Sequence, residues 1–220
     1  MKISIITPSF NQADYLDETI RSVLGQNYPQ LEYAVVDGAS TDGSVGIIKE
    51  HSERLTWWVS ELDAGQADAI NKGFSRATGE VIAWLNSDDY YLPETLATVA
   101  ELFAANPNAG IIYGDVLSVD GDGNPINVQR FAQYSVEDLM QFKIISQPGV
   151  FMRRSVLERA GYLDENYHFL LDHHLWLRIA QLAPMIYVSQ TLAVARYHDD
   201  AKNIAHAEKF GAEAFKILDW

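Results

Sequence analysis

Four short polar clusters in this sequence carry side chains able to hold an anion, a hard cation or a proton. The first is Thr7-Pro8-Ser9-Phe10-Asn11, whose hydroxyl and amide groups could receive a polar ligand or simply form a turn and helix cap. The second, Asp37-Gly38-Ala39-Ser40-Thr41-Asp42-Gly43, joins two carboxylates to two glycines. Such a loop lets a ligand approach the backbone, although Asp37 would equally serve a turn and Asp42 a helix N-cap. The third, Asn86-Ser87-Asp88-Asp89, places two carboxylates side by side. They repel unless something positive lies between them, and carboxylate oxygens suit Mg2+ or Mn2+, with phosphates completing the shell. The alternative is a solvated acidic turn. The fourth is Asp172-His173-His174, where Asp172 would serve a site or only cap a helix. Adjacent histidines project about 100° apart on a helix, which is poor geometry for one metal. His198 stands alone before Asp199-Asp200.

Each cluster follows an apolar run. Ile3 to Thr7, Glu32 to Val36, Leu55 to Val59 and Val81 to Leu85 read as buried strands. Between them lie helical patterns: Tyr15 to Leu24, a helix after Asp42-Gly43, and about Gln66 to Ala77. Pro93 at a first-turn position opens another helix to about Ala105. This alternation predicts an α/β fold with a mostly parallel central sheet and helices on both faces, binding ligands at the carboxyl ends of the strands. The second half has a longer strand over Gly110 to Val119 and a turn at Asp120-Gly121-Asp122-Gly123. An irregular stretch then leads to Gln147-Pro148-Gly149-Val150-Phe151. A helix over Asp172 to Leu182 follows, buried through Leu175, Ile179 and Leu182. Short strands over Met185 to Val188 and Leu192 to Tyr197 precede an amphipathic helix from about Ala205. With no repeat and no linker, residues 1–220 read as one domain, about 1–119 forming one half and 120–220 the other.

Composition narrows the function. The 220 residues hold 16 Lys+Arg against 30 Asp+Glu, a net charge of −14, with no basic patch. This predicts no nucleic-acid partner. No apolar run is long enough for a membrane span, and the N-terminus is too interrupted for a signal peptide. Cysteine is absent, so disulfides and thiolate metal sites are excluded. There is neither a Walker A loop nor a G-x-G-x-x-G fingerprint. An anionic ligand would need a local positive centre.

In their order along the chain, these segments resemble the inverting family-2 glycosyltransferases of the GT-A fold. The resemblance is carried by Ile5-Ile6-Thr7-Pro8-Ser9-Phe10-Asn11, by Val36-Asp37 to Gly43, and by Asp63-Ala64-Gly65-Gln66 through Asn71-Lys72-Gly73. It continues in Leu85-Asn86-Ser87-Asp88-Asp89, Leu171-Asp172 to Arg178, and Arg196-Tyr197-His198. It implies that Thr7, Pro8, Ser9, Asn11, Asp37 and Ser40 hold the nucleotide, with Asp37 accepting from the imide N–H of the base. UDP- or dTDP-type donors are then favoured. It further implies that Asp63, Gln66, Asn71 and Asp88 line the donor pocket, that Asp89 and His198 serve a Mn2+ or Mg2+ ion, and that Asp172 is the catalytic base. The acceptor would be a glycan or lipid-linked hydroxyl in polysaccharide or glycoconjugate synthesis. The location would be cytoplasmic, or peripheral to the inner membrane through that acceptor, with oligomerisation left open.

Two departures stand out. Ser87 replaces the first acid of the family's D-x-D signature, a variant also found in the family, and Leu171 replaces the first of an acidic pair. The rival readings are a sugar nucleotidyltransferase and a silent nucleotide-sugar-binding module. The first is disfavoured because Thr7 to Asn11 contains no glycine and no base, the second because Asp37, Asp88, Asp89 and Asp172 occur together.

Overall fold

The structure is a computed structural model that describes residues 1–198 and 207–218. In chain order it contains β1 (Ile3–Ser9), α1 (Ala13–Leu24), β2 (Leu31–Asp37), α2 (Ser44–His51), β3 (Trp57–Ser60), α3 (Gln66–Arg76) and β4 (Val81–Trp84). There follow β5 (Tyr90–Tyr91), α4 (Thr95–Ala105), β6 (Ile111–Asp120), β7 (Pro125–Gln129), α5 (Val136–Met140) and a 3-10 turn (Gln147–Gly149). The chain continues through β8 (Val150–Arg153), α6 (Arg154–Ala160), α7 (Leu171–Ala180), β9 (Met185–Tyr197) and α8 (Ala207–Leu218).

Among the described residues one sheet runs in the order β3-β2-β1-β4-β8-β6-β9-β5, with β7 beside β6. The first four strands of that order are parallel neighbours, while β8 joins β4 and β6 antiparallel. The α/β architecture expected from the alternating runs is therefore present. Strand periodicity splits the core into two layers. Ile5, Val35, Ala83 and Leu85 face the layer with Leu16, Ile20 and Val23 of α1. Ile6, Val36, Ile82 and Trp84 face the opposite layer with Ile70 and Phe74 of α3 and Leu175, Trp176 and Ile179 of α7. Burial on both faces explains the nearly unbroken apolar runs of these strands.

Register decides what meets at the strand ends. Ser9 lies beside Asp37 across β1 and β2, and Ile6 beside Trp84 across β1 and β4. Close packing of α3 on β1 needs Gly73, because a Cβ there would stand 2.3 Å from Ile6 Cγ2. Several boundaries differ from those expected. Pro93 precedes α4, which begins at Thr95 after Glu94 in a left-handed turn (φ 64°). The two strands expected between Met185 and Tyr197 are one: its pairing with β6 shifts near Asp115, so the polar Ser189-Gln190 interrupt the register and not the strand. Leu182 lies beyond the end of α7 and is exposed. The two-residue β5, the polar edge strand β7 and the short β8, α5 and α6 show no periodicity long enough to be read from sequence. The start of the C-terminal helix, expected near Ala205, lies outside the described residues.

Candidate active site

The carboxyl ends of β1, β2 and β4 open into a cleft of about 680 Å3, closed on its far side by residues 144–148 and the start of α7. Three acid-bearing segments reach it, carrying Asp63, Asp88 with Asp89, and Asp172. Pro8 and Ser9 at the end of β1 form part of the wall, and the buried Ser9 hydroxyl has no partner among the described residues. Gly38 admits Asp63, whose Oδ2 would lie 2.6 Å from any Cβ at that position. Asp63 Oδ1 accepts from the Gly65 N–H at 2.9 Å. Gln66, on the first turn of α3, donates to Asn86 Oδ1 at 2.9 Å.

The turn after β4 supplies Asn86, Ser87, Asp88 and Asp89. Asp89 is buried; its Oδ1 accepts from the backbone N–H of Arg196 at 3.0 Å and its Oδ2 from Asn86 at 3.5 Å. Burial, then the charge of neighbouring Asp88, pushes the Asp89 carboxyl well above the usual carboxylate range, against the pull of the Arg196 amide. Asp88 Oδ2 lies 3.2 Å from His198 Nε2, and the His198 ring leans on Tyr15 at 4.8 Å. Arg196 is the one cationic residue in the described lining, and its guanidinium is already engaged. It donates to the carbonyls of Asp88 and Gly121 at 3.2 and 3.0 Å and to Glu18 Oε2 at 2.5 Å.

Across the cleft stands Asp172, half-buried in the first turn of α7. It is not the N-cap, a position held by Leu170; its Oδ1 accepts from the His173 N–H at 2.7 Å. The paired histidines diverge as their helical spacing predicts. His173 lies against the Leu139 carbonyl (2.9 Å) and stacks on Phe142, while His174 stacks on Tyr167.

Other residues singled out by sequence sit behind this surface. Thr7 is buried with its hydroxyl 3.0 Å from that of Tyr33. Asp37 is fully buried, accepting from the Ser40 N–H and hydroxyl at 2.9 and 2.5 Å and from Ser60 at 2.6 Å. Asn11 ties the two loops together, donating its N–H to Ser40 Oγ and accepting from the Thr41 N–H. Asn71 is not brought into the cleft: five residues beyond Gln66, it faces away and grips the Leu163 N–H and C=O, both at 2.9 Å. Gln147 escaped sequence reasoning as a site residue. Its amide donates to the Trp84 carbonyl at 2.8 Å, leaving in the cleft wall a buried Oε1 with no partner among the described residues. No periodic pattern marks that residue, because its place depends on a long-range contact.

The donor set fits a divalent cation shared with a ligand. Asp88, Asp89 and His198 offer hard oxygens and an imidazole, and the Asp88–Asp89 repulsion would be relieved by positive charge. No three such side chains among the described residues can enclose a metal by themselves. Phosphate oxygens would have to complete the shell.

A parallel half-sheet with an acidic turn and a carboxylate-bearing helix at the ends of its strands is the architecture of the GT-A fold. A family model described as glycosyl transferase family 2 matches residues 4–161, and the chain belongs to that family. The putative teichuronic acid biosynthesis glycosyltransferase TuaG of Bacillus subtilis is 36% identical over 183 residues, covering 80% of this chain and 71% of TuaG. An uncharacterized glycosyltransferase of Nostoc is 33% identical over 181 residues, covering 74% of this chain and 54% of that relative. The chain thus spans only about half the length of the Nostoc protein. Among solved structures, S. aureus TarS 1-349 in complex with UDP-GlcNAc superposes with a TM-score of 0.76 at 20% identity, covering 99% of this chain and 70% of that one. The Pyrobaculum calidifontis mannosyltransferase PcManGT, in complex with GDP-Man and Mn2+, gives 0.74 at 22% identity, covering 98% and 64%. These two likenesses establish the fold. Among the described residues no helix is long and apolar enough to cross a membrane.

Proposed function

We propose that this chain transfers a sugar from a nucleoside-diphosphate sugar to an acceptor hydroxyl with inversion, in polysaccharide or glycoconjugate synthesis. The observation that carries this reading is one cleft in which Asp63, Asp88 and Asp89 face Asp172, with Arg196 as the sole described cation and already committed. A diphosphate could not enter so acidic a cleft unaided. Asp88, Asp89 and His198 would hold a Mn2+ or Mg2+ ion, which supplies charge neutralisation to the departing diphosphate. Asp172 would take the proton of the acceptor hydroxyl as its oxygen bonds to the anomeric carbon and the bond to the diphosphate breaks. A single base suffices for in-line displacement. Asp37, at the end of β2, is the group proposed to select the base, so uridine and thymidine diphosphates are favoured. The neighbours' UDP-GlcNAc and GDP-Man complexes and the TuaG description support a nucleotide-sugar donor and a role in polysaccharide synthesis.

Titration calorimetry with UDP, dTDP, GDP and ADP, each with and without Mn2+, tests this reading. Tight UDP or dTDP binding that needs the ion, and loses that need in Asp89→Ala, is the expected result. Equal affinity with and without Mn2+ would remove Asp89 from its role. A preference for ADP would overturn the assignment of Asp37.

A further inference from the structure

The C-terminal helix α8 sends one carboxylate back toward the cleft. Glu213 is buried, and its Oε1 accepts from the His168 N–H at 2.7 Å. Its Oε2 accepts from the N–H groups of Phe169 and Leu170 at 2.8 and 2.9 Å. These amides belong to the turn that enters α7, where the N-cap Leu170 offers no side-chain hydrogen bond of its own. Glu213 thus does from a distant helix what an N-terminal cap does locally. Burial alone would raise its carboxyl; the three amide donors outweigh that and hold it below the usual range. Around this contact Phe169 packs on Phe210 at 5.3 Å, Lys216 lies 5.8 Å over the Tyr167 ring, and Ile217 is fully buried in the core.

The same turn is part of the cleft. His168 and Phe169 line it, and Leu171 and Asp172 follow at once. We propose that Glu213 is a positioning residue for the transfer reaction, fixing the His168–Leu170 amides and through them the aim of Asp172. This rests on the reading of Asp172 as the base. An ordinary structural cap would affect melting temperature but not turnover per folded molecule. A positioning role predicts otherwise, because a displacement of about 1 Å at a reacting group can cost on the order of 100-fold in rate.

The test compares Glu213→Ala and Glu213→Gln with Ile217→Val, which trims α8 but keeps the carboxylate. Turnover is read as nucleoside diphosphate released from UDP-glucose, UDP-GlcNAc or GDP-mannose, whichever the wild type consumes. UDP affinity and amide hydrogen exchange over residues 168–172 are measured alongside. Glu213→Ala should speed exchange at the 168–170 amides and lower kcat by roughly tenfold or more, leaving UDP affinity within about twofold. Ile217→Val should leave kcat near wild type. In an Asp172→Asn background, adding Glu213→Ala should lower the residual rate by less than about twofold, because the group being positioned is gone. Unchanged exchange, unchanged kcat, or equal losses in both backgrounds would each overturn the inference. Full turnover by Asp172→Asn alone would instead bring down the base assignment, and this inference with it. Exchange is read whether or not turnover is found.

Discussion

The two walls of the cleft are built in different ways. The wall from the ends of β1 and β2 is stitched together locally. Asn11 joins Ser40 and Thr41, Asp37 joins Ser40 and Ser60, and Asp42 joins the Ala13 N–H and Ser44. Every one of these partners lies on adjacent parallel strands, on the loops leaving them, or at the first residue of the helix that follows. The opposite wall is held from afar. Gln147 hangs on the Trp84 carbonyl, and His168 to Leu170 hang on Glu213. A wall organised within its own sheet register suits an invariant ligand part such as a nucleotide. A wall assembled from remote segments can be altered piece by piece, as acceptor recognition requires. The expectation is that changes in the first wall alter nucleotide affinity, while changes in the second alter turnover.

The largest effect expected is at Asp172. Asp172→Asn should lower turnover by roughly 100-fold or more, the scale of a lost general base, with UDP affinity nearly unchanged. Steady-state kinetics beside calorimetry checks it, and a variant that transfers at the wild-type rate removes Asp172 as the base. Asp37→Asn probes the other wall. Losing one charged acceptor should weaken UDP by roughly tenfold or more, since a hydrogen bond to a charged group is worth about 1.5–3 kcal/mol. Saturating turnover should hold; a fall in rate at unchanged affinity would break the division between walls.

Gly73→Ala tests whether the first wall depends on α3 lying close to β1. The new methyl would stand 2.3 Å from Ile6 Cγ2, so the helix must retreat. A stability loss of about 1–3 kcal/mol by denaturant unfolding is expected, with weaker UDP binding as Gln66 is carried away. Wild-type stability would show that the contact is easily relieved.

The smallest effect concerns pH and the second wall. Burial, then the charge of Arg178 and the neighbouring His173, against attraction from Asp164, pushes the His174 imidazole down to about 4. Unfolded, it titrates near 6.5. Between those values the unfolded chain takes up a proton that the folded chain refuses, so stability falls as pH drops from 6.5 toward 4. His174→Phe keeps a ring on Tyr167 and should flatten that slope. Parallel melting curves of the two proteins across the window would reject the role of His174.

Much of the first wall was legible in sequence because its determinants are local. Apolar runs named β1, β2 and β4, and the polar residues after each run fell at strand ends where such a sheet binds ligands. Asp88 and Asp89 were legible as candidates for the same reason, Asp172 by its place at the start of a helical pattern, and Asp63 only through the family resemblance. The family resemblance supplied their order and roles, which spacing alone left open between chemistry and capping. Asn71 shows the limit, since its helical position turns it toward Leu163 and out of the cleft.

By itself, then, the sequence determined an α/β chain with acidic strand ends and no basic surface, because periodicity and charge are written residue by residue. Only the tertiary structure decided that Gln147 in the cleft wall keeps a buried oxygen without a partner among the described residues and that Glu213 grips the turn before Asp172. Those roles depend on which backbone groups arrive beside a side chain from 63 or about 45 residues away. No local pattern encodes such a meeting; sheet register and helix packing bring it about.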